Sequence, residues 1–293
     1  MILERTIDCL KKVYRKKLEG ITIERLVVGV FSTGVKLSNG DGGICYTPVE
    51  AIHKTGFAGS PFSPAEERSS HAVLKNTPVS EILNHRVHTP LRDTIRLAAV
   101  NALSHSILSE SPALLGEGDP LDLIDLRSMR KIAMVGAIRP FLDRLKKMDG
   151  IELSVIEKKQ DSLAPREMGF FVPPERTWEI LSGCDLALIT GATVANGTIE
   201  GLLKAVNPDA MVVVAGPTAS FLPDILFERG VDMVSGALVI DPDRALDMIS
   251  EGCGAYPLFP SCLKKFNLLK KSYKRLRKEK HRGKETVEPA GMP

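Results

Sequence analysis

The sequence predicts an α/β protein: a C-terminal doubly wound parallel sheet preceded by a smaller α+β unit. Three observations carry this expectation. Beyond residue 130, five short apolar runs alternate with helical stretches. Before residue 110 the chain reads as a helix, three β-prone runs and two further helices. Between them lies SPALLGEGDPLDLIDLRSM, residues 111–129, whose Pro, Gly and acidic content suits a connection. The expected units are residues 1–115, residues 116–263 and a basic tail over 264–293.

Residues 2–19 place Leu3, Ile7, Leu10, Tyr14 and Leu18 three or four apart, as one helix face requires. ITIERLVVGVFSTGVKLSNGDGGICYTP then reads as three short strands, with Ser32-Thr33-Gly34 and Asn39-Gly40-Asp41-Gly42 as hairpin turns. Residues 48–77 are loop-rich. A short helix is expected over 78–85 and a longer one over 90–110, with Pro90 near its start.

In the second half KIAMVGA (131–137), IELSVIE (151–157), DLALITG (185–191), AMVVVAG (210–216) and VDMVSGALVI (231–240) are nearly unbroken apolar runs. Parallel strands buried on both faces read this way. Helices are expected between them over 139–148, 175–183, 197–206, 222–229 and 242–251. Strands alternating with helices give the doubly wound sheet.

With 293 residues, 43% hydrophobic and 26% charged, the composition is that of a globular protein with a sizeable core. No apolar run approaches the roughly 20 residues that span a bilayer, and Met1–Leu18 is charged throughout, so a cytoplasmic protein is expected. The five cysteines are scattered without a Cys-x-x-Cys pair, which argues against a disulfide framework or structural zinc. The net charge of +3 hides an asymmetry: residues 264–293 carry eleven Lys/Arg against three Glu. The mildly acidic body lacks the basic-aromatic pattern of a dedicated nucleic-acid binder.

Ligands of open parallel sheets bind beyond the carboxyl ends of the strands. That rule selects Gly136–Arg139, Glu157–Lys159, Thr190–Thr198 and Gly216–Ser220. The first turn, MVGAIRPF, has one glycine, so the three-glycine dinucleotide fingerprint is missing, although Glu157 stands where a ribose-binding acid would. GATVANGT offers backbone N–H groups and the side chains of Thr193, Asn196 and Thr198, with Gly191 and Gly197 leaving room for a ligand. The alternative is plain capping, with Thr198 or Asn196 closing the next helix. AGPTAS repeats the arrangement with Gly216, Pro217, Thr218 and Ser220, and loops on adjacent strands would converge. No histidine pair, Gly-x-Ser-x-Gly elbow or Walker loop marks a catalytic set.

TGATVANGT, AGPTASFLPDILFERGVDMVSG, the early GVFSTGVKLSNGDGGICYTP and Asn101 within LAAVNAL, taken in this order, resemble a bacterial and archaeal family described as "putative heavy-metal chelation" proteins. The resemblance spans roughly residues 5–260. It implies an enolase-N-terminal-like domain in front, a Rossmann-like domain behind, and a site in the cleft between them. Carried onto this chain, the cleft is lined by Gly191, Thr193, Asn196, Gly197, Thr198, Gly216, Pro217, Thr218, Asn101 and Thr33. These neutral groups suit an organic ligand, or a metal chelate, better than a bare transition ion, and no direct metal site is expected.

The leading expectation is a protein that binds or processes a small polar organic molecule, a metal chelator or its precursor, in that cleft; a homodimer fits such a protein. A second is a transferase using a nucleotide-type cofactor such as S-adenosylmethionine, held by Gly136 and Glu157. A third is a non-enzymatic scaffold whose basic tail docks on an anionic partner.

Overall fold

The computed structural model describes residues 1–54, 74–85, 87–110, 116 and 118–273. Most of the expected loop over 48–77, the start of the connection at 111–115, and residues 274–293 of the basic tail lie outside these described residues.

The front half holds α1 (Ile2–Tyr14), β1 (Ile23–Val28), β2 (Ser32–Leu37), β3 (Gly42–Tyr46), α2 (Val49–Lys54), α3 (Val79–Asn84) and α4 (Pro90–Ser109). The back half begins with β4 (Lys131–Val135), α5 (Arg139–Leu145), β5 (Glu152–Ile156), β6 (Phe171–Val172), α6 (Thr177–Ser182) and β7 (Leu186–Thr190). It continues with α7 (Ala192–Ala195), α8 (Ile199–Ala205), β8 (Met211–Ala215), α9 (Asp224–Glu228), β9 (Met233–Val239), α10 (Pro242–Ser250), α11 (Ala255–Leu258) and β10 (Leu263–Leu269).

The parallel strands lie in the order β9-β8-β7-β4-β5-β6, the doubly wound arrangement, with β10 antiparallel on the far side of β9. Alternate residues of each strand enter different cores. Ala133, Ile189 and Val214 face one layer with α6, α8 and α9, whereas Ile132, Leu188 and Val213 face α5. Both faces are covered, which is why these strands read as unbroken apolar runs.

The front meander continues the same sheet. β9 runs on past the end of β8, and its last residue, Val239, pairs with Gly42 at the start of β3. β3 therefore points back towards the turn that follows β8. Helix α4 lies across this junction, buried along most of its length and capped by the Thr89 hydroxyl, which accepts the Arg92 N–H. Its close seat needs Gly43, because a Cβ there would overlap the Ala98 carbonyl and the Ala102 nitrogen.

Three expectations are corrected. Ser32-Thr33-Gly34 lies inside β2, and the chain reverses one step earlier, where Gly29 N–H donates to the Ser32 carbonyl at 2.9 Å. Gly34 serves packing: a Cβ there would sit 2.5 Å from Leu246 of α10. The expected tail does not begin at 264, because Leu263, Phe266 and Leu268 are buried in β10 while Lys264 and Lys265 are exposed. The stretch 192–195 is a single helical turn, not open loop. The Asn39–Gly42 turn forms as expected, with Gly40 at φ +89°.

The segment between β5 and β6 is fastened by Glu167, which is 1% exposed. Its carboxylate pairs with Lys146 at 2.8 Å and Arg139 at 2.8 Å, and accepts the Ala164 N–H at 3.0 Å. The Lys146 ammonium foremost, then the Ala164 N–H, hold its pKa down at about 2 against an ordinary 4.5.

Gly43→Ala is expected to destabilise the protein by about 1–3 kcal/mol, the usual cost of overpacking, read as a lower midpoint in denaturant unfolding. The Glu167 contribution has a definite sign. It is fully present above pH 4.5 and is lost as the pH falls towards 2. Acid unfolding followed by circular dichroism should therefore be less steep over that window in Glu167→Gln than in wild type.

Candidate functional site

The winding of the sheet reverses between β4 and β7, and a doubly wound sheet opens its ligand crevice at that point, beyond the carboxyl ends of the strands. The floor here is Gly136, at φ +82°, packed on Thr190: a Cβ would stand 2.7 Å from the Thr190 methyl carbon. Only glycine meets both demands.

The two glycine/threonine segments do converge, because β7 and β8 are adjacent and parallel. Gly191 N–H donates to the Ala215 carbonyl at 2.7 Å, and a Cβ on Gly191 would lie 2.9 Å from the Ala219 nitrogen. Gly191 thus lets the two turns touch, and its missing side chain is filled by protein. Gly216, at φ +119°, turns the chain into Pro217–Ala219.

Much of the polarity in these segments is closed on itself. The Thr193 hydroxyl donates to the Thr190 carbonyl at 2.6 Å, and the residue is 3% exposed. Asn196 Oδ1 accepts from both the N–H (3.2 Å) and hydroxyl (2.7 Å) of Thr198, an Asx turn that leads into α8. Gly197, at φ +73°, makes that turn possible. Asn196, Gly197 and Thr198 are exposed at the far end of α7 from Gly191.

Asn101 joins the halves. Its Nδ2 donates to the carbonyls of Ile44 at 2.7 Å, Thr218 at 3.2 Å and Pro217 at 3.3 Å. Three acceptors in front of it fix which end of the amide is the donor. Beside it, the Thr218 hydroxyl accepts the Tyr46 N–H at 2.9 Å. Thr33 is fully buried, its hydroxyl bonded to that of Thr47 at 2.9 Å, so it braces β3 and does not face a cleft.

Glu157, at the end of β5, reaches across to the first turn: Oε2 accepts the Ala137 N–H at 3.1 Å and Oε1 the Lys158 N–H at 2.7 Å. Tyr46 overhangs this edge, half-exposed. Burial first, then the Glu50 carboxylate, raise its phenol pKa, with Lys159 opposing and Glu157 adding. Lys159 pairs with Glu50 of α2 at 2.5 Å, so front and back halves meet again at this rim.

The structure therefore brings together Gly191, Gly216, Pro217, Thr218 and Asn101, and separately Gly136 with Glu157. Asn196, Gly197 and Thr198 sit apart, and Thr33 and Thr193 are enclosed. Sequence reasoning missed Tyr46, Glu50 and Tyr256. Burial of Tyr256, on α11, raises its phenol pKa, with Arg139 at the start of α5 opposing. No short-range spacing links these residues to the strand ends. A groove of about 420 Å³ between Glu200, Lys204 and Arg229 is lined by none of the expected residues.

The groups present do not fit a naked metal ion. Among the described residues no three His, Cys, Asp or Glu side chains gather as a donor set. Burial pushes the Cys184 thiol up to about 11 and the Cys45 thiol higher still, away from the thiolate form a metal needs. His88 Nδ1 is engaged by Asp93 at 3.0 Å, and Cys262 is buried against the Met248 sulfur. No helix among the described residues is long and apolar enough to cross a membrane.

Comparison with known proteins places the chain. Residues 11–104 and 119–268 match two family models, DUF4213 and DUF364, both described as "Putative heavy-metal chelation". An uncharacterized protein of Methanocaldococcus jannaschii is 24% identical over 209 residues, 69% of this chain and 78% of its own. A crystal structure of a DUF364 protein of unknown function from Pyrococcus horikoshii matches with a TM-score of 0.73 at 21% identity, covering 92% of this chain and all of that one. A second, from Desulfitobacterium hafniense, matches with a TM-score of 0.64 at 20% identity, covering 89% and 99%. Matched along most of its length and sharing the architecture of these two structures, the chain belongs to the family described as putative heavy-metal chelation proteins.

Proposed function

We propose that this protein binds a small polar organic molecule, a metal chelator or the precursor of one, in the crevice where the turns after β4, β7 and β8 meet Tyr46 of the front half. The observation that carries this reading is the convergence of those turns at the point where the sheet's winding reverses, with glycines at Gly136, Gly191 and Gly216 and neutral hydrogen-bonding groups around them. Hydroxyls, carbonyls and amides recognise an organic skeleton. A metal enters such a site already wrapped by its chelator, because among the described residues the Glu157 carboxylate is joined there by no His or Cys that would strip and hold the ion.

Glu157 is the acidic side chain best placed to orient the ligand, since the Ala137 N–H from the turn after β4 and the neighbouring Lys158 N–H fix its carboxylate. The Glu50–Lys159 pair at the rim neutralises itself, so it excludes water and positions α2 without adding net charge.

Native mass spectrometry of the purified protein tests this. The expected result is a co-purifying organic molecule, with or without metal, whose affinity falls by about tenfold, or 1.4 kcal/mol, in Tyr46→Ala when measured by thermal-shift titration. Bare metal with no organic molecule, or equal retention in wild type and Tyr46→Ala, contradicts the reading.

A further inference from the structure

Helices α8 and α9 cover the same face of the sheet, and the groove of about 420 Å³ runs between them. Glu200, Leu203 and Lys204 line it from α8, and Glu228, Arg229 and Gly230 from the end of α9. Because α9 runs back to the start of β9, Arg229 stands at the opposite end of the sheet from the crevice.

The charged groups of this groove are not paired with one another. Its two carboxylates are met from α1: Glu228 by Arg5 at 2.5 Å and Glu200 by the Met1 ammonium at 3.7 Å. Asp224, one turn before Glu228, is engaged by the Tyr273 hydroxyl at 2.8 Å. Among the described residues the charged ends of Lys204 and Arg229 have no ion-pair or hydrogen-bond partner. The backbone at this end of α9 is also closed. Arg229 N–H donates to the Ile225 and Leu226 carbonyls at 3.1 and 3.0 Å, and Val231 N–H to the Leu226 carbonyl at 3.1 Å. Gly230, at φ +99°, permits that closure, which holds Arg229 at the rim of the groove.

We infer that the groove is a second binding site, distinct from the crevice, for a small molecule bearing a doubly charged oxyanion. Both of its acidic groups are matched from α1, so Lys204 and Arg229 leave two positive charges unmatched on opposite walls. A guanidinium presents a planar fork to two oxygens, and an ammonium presents a compact point charge, the pair that a phosphate ester or a dicarboxylate takes up. The volume lies in the range of small-molecule sites, and the half-buried Leu203 between the cations offers an apolar contact to the rest of the molecule. The inference does not depend on what the crevice holds.

Isothermal titration calorimetry on the full chain, with inorganic phosphate and with succinate at one fixed ionic strength, tests the site. The variants are Lys204→Gln/Arg229→Gln and, as a control, Lys17→Gln, an exposed cation outside the groove. Thermal unfolding verifies that each is folded. The expected result is one equivalent of anion bound by wild type and by the control, with affinity lower by at least about tenfold in the double variant. Tighter phosphate identifies a phosphate ester as the ligand, and tighter succinate a dicarboxylate; either supports the site. Should the double variant unfold, Lys204→Gln alone is read by the same criterion. Wild type that binds neither anion, or an equal loss in Lys17→Gln, overturns the inference, as does a folded double variant that binds as well as wild type.

Discussion

The structure depends on how closely α4 is pressed into the junction between β3 and the turn after β8. Gly43 permits the approach, because any side chain there would collide with the helix backbone. Asn101 then uses the approach: its two Nδ2 hydrogens are shared among three carbonyls, one from β3 and two from the Pro217–Thr218 turn. Each such bond contributes about 1 kcal/mol net, but leaving the carbonyls buried and unmet would cost about 1–3 kcal/mol apiece. The clamp is therefore strong in the sense that matters: its loss is far more expensive than its formation is favourable. It braces the join that the Gly42–Val239 pair makes between the front meander and the doubly wound sheet, beside Tyr46.

The same arrangement explains the character of the crevice. A site made by two halves meeting end to end is rich in backbone turns, and their N–H groups must find partners as they are buried. Gly191 and Gly216 find theirs on the neighbouring strand, at Ala215 and Ser235. Around these turns Gly136–Ile138, Thr190, Pro217, Tyr46 and Glu157 form a half-exposed band. That band is polar and nearly neutral, and it carries a single well-held carboxylate.

The five buried parallel strands and the helices between them were legible in the sequence, because unbroken apolar runs such as Met211–Ala215 admit few other readings. The convergence of the two glycine/threonine turns was legible too, since it follows from adjacent strands. Other features were hidden for physical reasons. Gly34 looks like a turn signal but answers to Leu246 of α10, more than two hundred residues away in the chain. In β10 two exposed lysines disguise the buried Leu263, Phe266 and Leu268. The partners that shape the crevice are long-range: Tyr46 and Thr218 stand 172 positions apart, and Asn101 and Thr218 stand 117 apart. No local spacing encodes such pairs. The candidate residues Thr193, Asn196 and Thr198 drew attention by composition, yet the Thr193 hydroxyl is bonded to the Thr190 carbonyl and Asn196 Oδ1 to the N–H and hydroxyl of Thr198.

Hydrogen–deuterium exchange read by mass spectrometry on Asn101→Ala beside wild type tests the clamp most directly. If Asn101 holds the two halves together, exchange rises jointly in residues 43–47 and 216–221, while β4 and β5 stay protected. Unchanged protection in both segments, or a rise confined to α4, would contradict the account.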